Sequence, residues 1–275
     1  MTDKTNKDIW RYPMFNAKNT FKYAPIALLL VAAGIQAKTI NKEFTVASGG
    51  LLKIETDVGA IDIDTHAKET VLITVEINGK NEDDMEVSFI KSGDNISIKG
   101  DFERSGFSFG FGSNPIKVTY KVTLPQNYNV DINTSGGSIE IENLTGKVDA
   151  YTSGGSISLE DLQGDVDIKT SGGSLDLDNI IGKINAKTSG GSIKLKLPTN
   201  PSKDSNLKTS GGSITAYLAK DVAVNLTAKT SGGRVSSEFV VNGKTTKRSI
   251  EGTINGGGPE LVLKTSGGSV RIKKI

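Results

Sequence analysis

Five lysines occupy the same place in five near-identical stretches of this 275-residue chain: Lys169, Lys187, Lys208, Lys229 and Lys264 each stand immediately before Thr-Ser-Gly-Gly. Cations recurring at one place in a repeat offer one kind of chemistry, the holding of an extended or repeated anion. The same pattern is also what a solvated face would show, with aspartates such as Asp167 close by in sequence. A second recurring set is acidic: Glu142, Glu160 and Asp178, with Lys196 next in line. Stacked carboxylates are the hard oxygen ligands that Ca²⁺ takes. The Gly-Gly-x-Gly-x-Asp spacing of calcium-binding β-helix repeats is absent, however, so no metal or other cofactor is expected.

Nothing in the sequence assembles a catalytic set. There is no cysteine, which removes thiolate nucleophiles, thiolate metal sites and disulfides. His66 is the single histidine and sits in Asp64-Thr-His-Ala-Lys without a nucleophile motif nearby. The many serines recur as corner residues. An enzyme acting on acidic polysaccharides would need long loops to wall a groove, and only residues 100–115 and 238–258 are long enough. Within the first of these, Phe107, Phe109 and Phe111 alternate with glycine and serine. They read either as an exposed loop for a partner or as a cover over an open sheet end.

The elements that must position these residues are short strands. Thr-Ser-Gly-Gly begins at Thr134, Thr152, Thr170, Thr188, Thr209, Thr230 and Thr265, at spacings of 18, 18, 18, 21, 21 and 35. Within each unit apolar residues alternate with polar ones, as in Ile139, Ile141, Leu144, Val148 and Ala150, and period two means strand. Two corners break each unit: Thr-Ser-Gly-Gly, and an Asn/Asp-Leu-x-Gly at Asn143–Gly146 and Asp161–Gly164. Asparagine, aspartate and glycine are the residues that tolerate left-handed turns. One such unit cannot bury its own faces, so neighbours must stack about 4.8 Å apart. The expected fold is all-β: a parallel β-helix, or β-solenoid, with turns of about 18 residues. Right-handed parallel crossovers are the rule. Alternating segments before Thr134 read as irregular first turns or a cap over residues 38–130, the regular repeats as residues 131–275, and Asn242-Gly243 as the turn of an inserted hairpin near 238–250.

Residues 1–37 read as a signal peptide, with Lys18 and Lys22 before the apolar run from Ala24 and cleavage expected after Ala37. The apolar run is shorter than a membrane helix needs. The leader carries five basic and two acidic residues, so the overall charge of +2 becomes −1 for the remaining single domain, 38–275. A near-neutral chain is a poor nucleic-acid binder. The charge is nonetheless segregated: residues 38–193 hold 14 Lys/Arg against 24 Asp/Glu, and residues 194–275 hold 14 against 5.

The Leu124-Pro125 before the first repeat, the Thr-Ser-Gly-Gly-Ser-Ile series and the closing Ile254-Asn-Gly-Gly-Gly-Pro-Glu-Leu-Val-Leu-Lys-Thr-Ser-Gly-Gly-Ser-Val-Arg-Ile resemble a bacterial family of unknown function, the β-strand-repeat "putative adhesin" family, over about residues 45–275. The resemblance implies an exported β-solenoid and brings no catalytic residues with it. The expected function is a non-enzymatic binding or scaffolding module of the cell envelope, periplasmic or at the surface. Its basic half would contact an anionic glycan, lipopolysaccharide or lipid surface. The alternatives are a structural envelope protein that self-associates head to tail, and a polysaccharide lyase or hydrolase.

Overall fold

Alternation of apolar and polar residues produces strands with one buried edge, and nearly every described element is of that kind. The structure, a computed structural model, describes residues 38–79, 82–103 and 116–275. The expected signal peptide and the Phe107, Phe109 and Phe111 loop lie outside the described residues. Among the described residues no helix is long and apolar enough to cross a membrane.

The strands form two sheets, of 11 and 12 strands, and the fold is solenoid-like. The chain passes from one sheet to the other at each corner. On one sheet Asn129–Thr134, Val148–Thr152, Val166–Thr170, Ile184–Thr188 and Ser205–Thr209 lie side by side, each pair parallel. On the other, Ile139–Glu142, Ile157–Gln163, Leu175–Ile181, Ile193–Leu197 and Ile214–Leu218 do the same. We call these the lysine sheet and the carboxylate sheet, and a strand of each joined by Thr-Ser-Gly-Gly a rung. The inward residues, among them Val148, Ile168, Leu177 and Leu195, make a single apolar core between the sheets.

The corners explain the repeat residue by residue. Thr170 is buried, and its hydroxyl donates to the Gly155 carbonyl of the neighbouring rung at 2.8 Å while accepting from the Gly173 N–H of its own corner at 3.2 Å. Thr152, Thr188, Thr209, Thr230 and Thr265 repeat this pair of bonds. The buried threonines therefore form a ladder of hydroxyl to glycine bonds along the stack. The second glycine is required by close approach: a Cβ at Gly173 would stand 2.0 Å from the Gly155 carbonyl oxygen, whereas at Gly172 the nearest atom is 3.5 Å away. The closing serine forms a second ladder, with Ser156 Oγ accepting from Ser174 N–H and Ser174 Oγ from Ser192 N–H. At the other corner Asn143, Asp161 and Asn179 take left-handed φ values of 59°, 53° and 54°.

Stacking departs from chain order at both ends. The last rung, Glu260–Thr265 with Val270–Lys274, is slotted between the rung of Ser205–Thr209 and that of Val224–Thr230 with Val235–Ser237. At the opposite end Leu51–Thr56 and Ala60–His66 lie inside, against the first regular rung, while Asn95–Phe102 and Lys117–Pro125 lie outside them. Antiparallel strands finish both sheets at that end, Thr70–Asn78 and Lys38–Thr45 on one and Met85–Ser92 on the other, and the lysine sheet alone at the far end, with Ser249–Ile254 and Asn242–Thr245, where the carboxylate sheet ends on the parallel strand Val235–Ser237. Such finishing blunts the open edges of a stack. In that last hairpin Asn242 and Gly243 lie within a strand, and the reversal falls at Thr246–Ser249, where Thr246 N–H donates to the Ser249 carbonyl at 2.7 Å. The Asn-Gly turn expected from sequence is thus displaced by four residues, because Gly243 instead approaches the facing strand, where a Cβ would meet the Glu251 carbonyl oxygen at 2.2 Å.

Candidate functional site

Parallel pairing in unbroken register brings all five lysines into one row on the outer face of the lysine sheet. The order is Lys169, Lys187, Lys208, Lys264 and Lys229, the insertion of the last rung having exchanged the final two. With strands about 4.8 Å apart, the row spans roughly 19 Å. Two residues on from each lysine comes a serine, and Ser189, Ser210, Ser266 and Ser231 line the same shallow groove, which encloses about 780 Å³. The threonine between each pair points inward and is buried.

The row is poorly neutralised. Lys229 pairs with Glu251 at 3.0 Å, and the Lys169 ammonium lies 5.7 Å from the centre of the Tyr151 ring. Among the described residues Lys187, Lys208 and Lys264 have no carboxylate partner. The neighbouring row on the same face, two residues earlier in each strand, reads Asp131, Asp149, Asp167, Asn185, Asn206, Val262 and Thr227. Its acids stop one rung into the lysine row. Two unit charges 4 Å apart in water repel by about 1 kcal/mol, so adjacent ammonium groups splay apart unless an anion lies among them. At one end Arg248, Ser249 and Glu251 of the hairpin also line the groove, Ser249 standing next in the row beyond Lys229. At the other end the row continues as Tyr151, Asn133 and Glu55, where the positive charge ends. Arg248, the serines and the Glu251 partner were not picked out by sequence reasoning. The serines carried a signal, their constant offset from the lysines, whereas Arg248 and Glu251 arrive from an antiparallel strand whose pairing no repeat predicts.

The carboxylate row also forms, with Glu142, Glu160, Asp178 and Lys196 in consecutive strands. Here charges are matched where the sign changes: Lys196 pairs with Asp178 at 2.8 Å and Lys194 with Asp176 at 3.0 Å. Partial burial, and then the charges of Glu140, Glu160, Asp64 and Asp62, push the Glu142 carboxyl above its ordinary range. Among the described residues no cluster of carboxylates or imidazoles is arranged to hold a metal ion. His66 ends its strand with Nε2 donating to the Thr70 carbonyl at 2.7 Å, so that nitrogen is already engaged.

Two sheets built from a stacked repeat, with a like-charged row exposed along one of them, define a class of repetitive all-β protein. The chain belongs to the Toastrack family of unknown function, DUF4097, whose model matches residues 51–179 and 147–273. The family resemblance carried by the Thr-Ser-Gly-Gly series is thereby borne out. Several solved structures are similar at low identity. A "putative cell adhesion protein" from Clostridium sporogenes is 16% identical, with 87% of this chain and 100% of that one covered and a TM-score of 0.42. A "putative adhesin" from Bacteroides fragilis is 14% identical, with 88% and 99% covered and a TM-score of 0.32. A "putative lipid binding protein" from Parabacteroides distasonis is 16% identical, with 86% and 96% covered and a TM-score of 0.40. Likeness at this level says nothing of what this chain binds. No curated protein matches it.

Proposed function

We propose that the chain is an exported, non-enzymatic binding module that uses the lysine groove to hold an anionic glycan or surface of the cell envelope. We also read the coil as a right-handed parallel β-helix, the hand that parallel crossovers take almost without exception. The observation that carries the functional reading is the unneutralised row itself: three adjacent lysines without carboxylate partners, beside a row that has turned from aspartate to asparagine, valine and threonine. A solvated face built for stability would place opposite charges side by side, as the carboxylate sheet does at Lys194 and Lys196. An exposed like-charged row with a concave, hydroxyl-lined floor suits a polyanion. Exposed charges act through a screened field, so salt must weaken the interaction.

The test is capture of the chain by envelope fractions at low and at high salt, beside a variant carrying Lys169→Ser, Lys187→Ser, Lys208→Ser and Lys229→Ser. Capture of the native chain at low salt, lost in high salt and absent in the variant, is the expected result. Equal behaviour of the two chains sinks the reading. Segregation of charge along the stack favours a second reading, association of the acidic end of one copy with the basic end of another. That reading requires a concentration-dependent assembly that dissolves in high salt, and a monomer at every concentration rules it out.

A further inference from the structure

The lysine groove is periodic along its length and bounded at both ends, and those two properties together select among anions. Each of its rungs offers one ammonium and four of the five also line the groove with a serine hydroxyl two residues further on, as in Lys187 with Ser189 and Lys208 with Ser210. The rungs are in parallel register, so the lysines repeat at the strand spacing. We propose that the groove is a row of five subsites, the central three unneutralised, for an extended acidic polysaccharide that lies along the stack, across the strands, with one acidic sugar per rung. The inference rests on the reading of the groove as an anion site and narrows it to one class of ligand.

Other extended anions fit less well. Groove-lining residues are lysine, serine, threonine, arginine and glutamate, with no apolar side chain to enter a lipid surface. Among the described residues Tyr151, beyond Lys169, is the one aromatic next to the row, and a single ring gives no platform on which successive bases could stack. An extended acidic peptide presents same-face side chains every second residue, roughly 6.6–6.8 Å apart, out of step with rungs about 4.8 Å apart. A polyuronic acid carries one carboxylate on every sugar ring, together with ring hydroxyls that serine can meet, and its carboxylates turn about the chain axis so that it presents charge on every side. Beyond Lys229 the next strand places Ser249 in the row, and beyond Lys169 comes Tyr151, so five lysines stand in register.

The test is a titration of the full chain with galacturonic acid oligomers, from monomer to octamer, at low salt. Affinity is expected to climb with each added sugar up to about five, the number of lysines in register, and then to level off. Lys208→Ser interrupts the row at its centre. It is expected to weaken the pentamer about tenfold and the dimer only about twofold, because two of the four adjacent lysine pairs, Lys169 with Lys187 and Lys264 with Lys229, remain. Lys208 is exposed, and an unchanged melting temperature of the variant checks that folding is intact. Equal affinity from dimer to octamer, or a pentamer insensitive to Lys208→Ser, overturns the inference. Vesicles of anionic phospholipid form the second arm. If they bind in a salt-sensitive way while no oligomer does, the polysaccharide row is wrong and the broader anionic-surface reading stands. If neither binds, both fall.

Discussion

At Thr170 one hydroxyl joins two rungs, and at Gly173 one missing side chain lets them meet. Steric demand differs sharply between the two glycines of a corner. Gly173→Ala forces a methyl group to within 2.0 Å of a carbonyl oxygen, while Gly172→Ala meets nothing nearer than 3.5 Å. Overpacking of that kind costs about 1–3 kcal/mol. Urea denaturation should show that loss for Gly173→Ala and a much smaller one for Gly172→Ala; equal losses would mean that chain entropy, not contact between rungs, explains the motif. Glu142 makes a pH prediction. Its folded pKa is raised above the ordinary 4.5 by partial burial and then by surrounding carboxylates. The folded chain therefore holds that proton more tightly than the unfolded chain. Stability is greatest below the unfolded pKa and is lost as pH rises from about 4.5 through the folded value. Glu142→Gln should raise the melting temperature at pH 7 and leave it unchanged at pH 3, and the reverse pattern would contradict the assignment.

Among the elements, the last rung is the least ordinary. Glu260–Thr265 and Val270–Lys274 end the sequence yet sit inside the stack, with parallel partners on both sides. Removing a rung at a true end would only shorten a solenoid. Truncation after Gly258 removes an interior rung, so the rung of Val224–Thr230 and the hairpin lose their support. We expect that truncated chain to lack a cooperative thermal transition and to elute as aggregate in gel filtration; a folded monomer with the full-length melting temperature would refute the topology. Sequence made most of the fold legible because the repeat specifies its own register: Thr134, Thr152, Thr170 and Thr188 can stack only one above another once their core residues face inward. It could not reveal the insertion of the last rung. The 35-residue interval from Thr230 to Thr265 marks an interruption, but identical motifs at Thr209, Thr230 and Thr265 pair equally well in either order. Nothing local distinguishes an inner repeat from an outer one.

For the whole molecule, segregation of charge along the sequence becomes segregation along the stack, because most rungs follow one another in chain order. Acidic rows occupy the rungs from Asp62 to Asp178 on the carboxylate sheet, and basic residues follow from Lys194. On the lysine sheet the change comes one rung sooner, at Lys169. The lysine row was legible because its members share a place in the repeat. Its lack of neutralising partners was not, since that depends on which residues stand in the adjacent row and on where the hairpin folds back. The most direct test is to measure, by mass spectrometry, the acetylation rate of each lysine in the full chain with and without a polyuronic acid. Lys187, Lys208 and Lys264 should be strongly protected, while Lys194 and Lys196, paired with aspartates on the opposite sheet, and Lys147 should react as before. Uniform protection of all lysines, or protection that spares the central three, would contradict the assignment of the groove as the binding site.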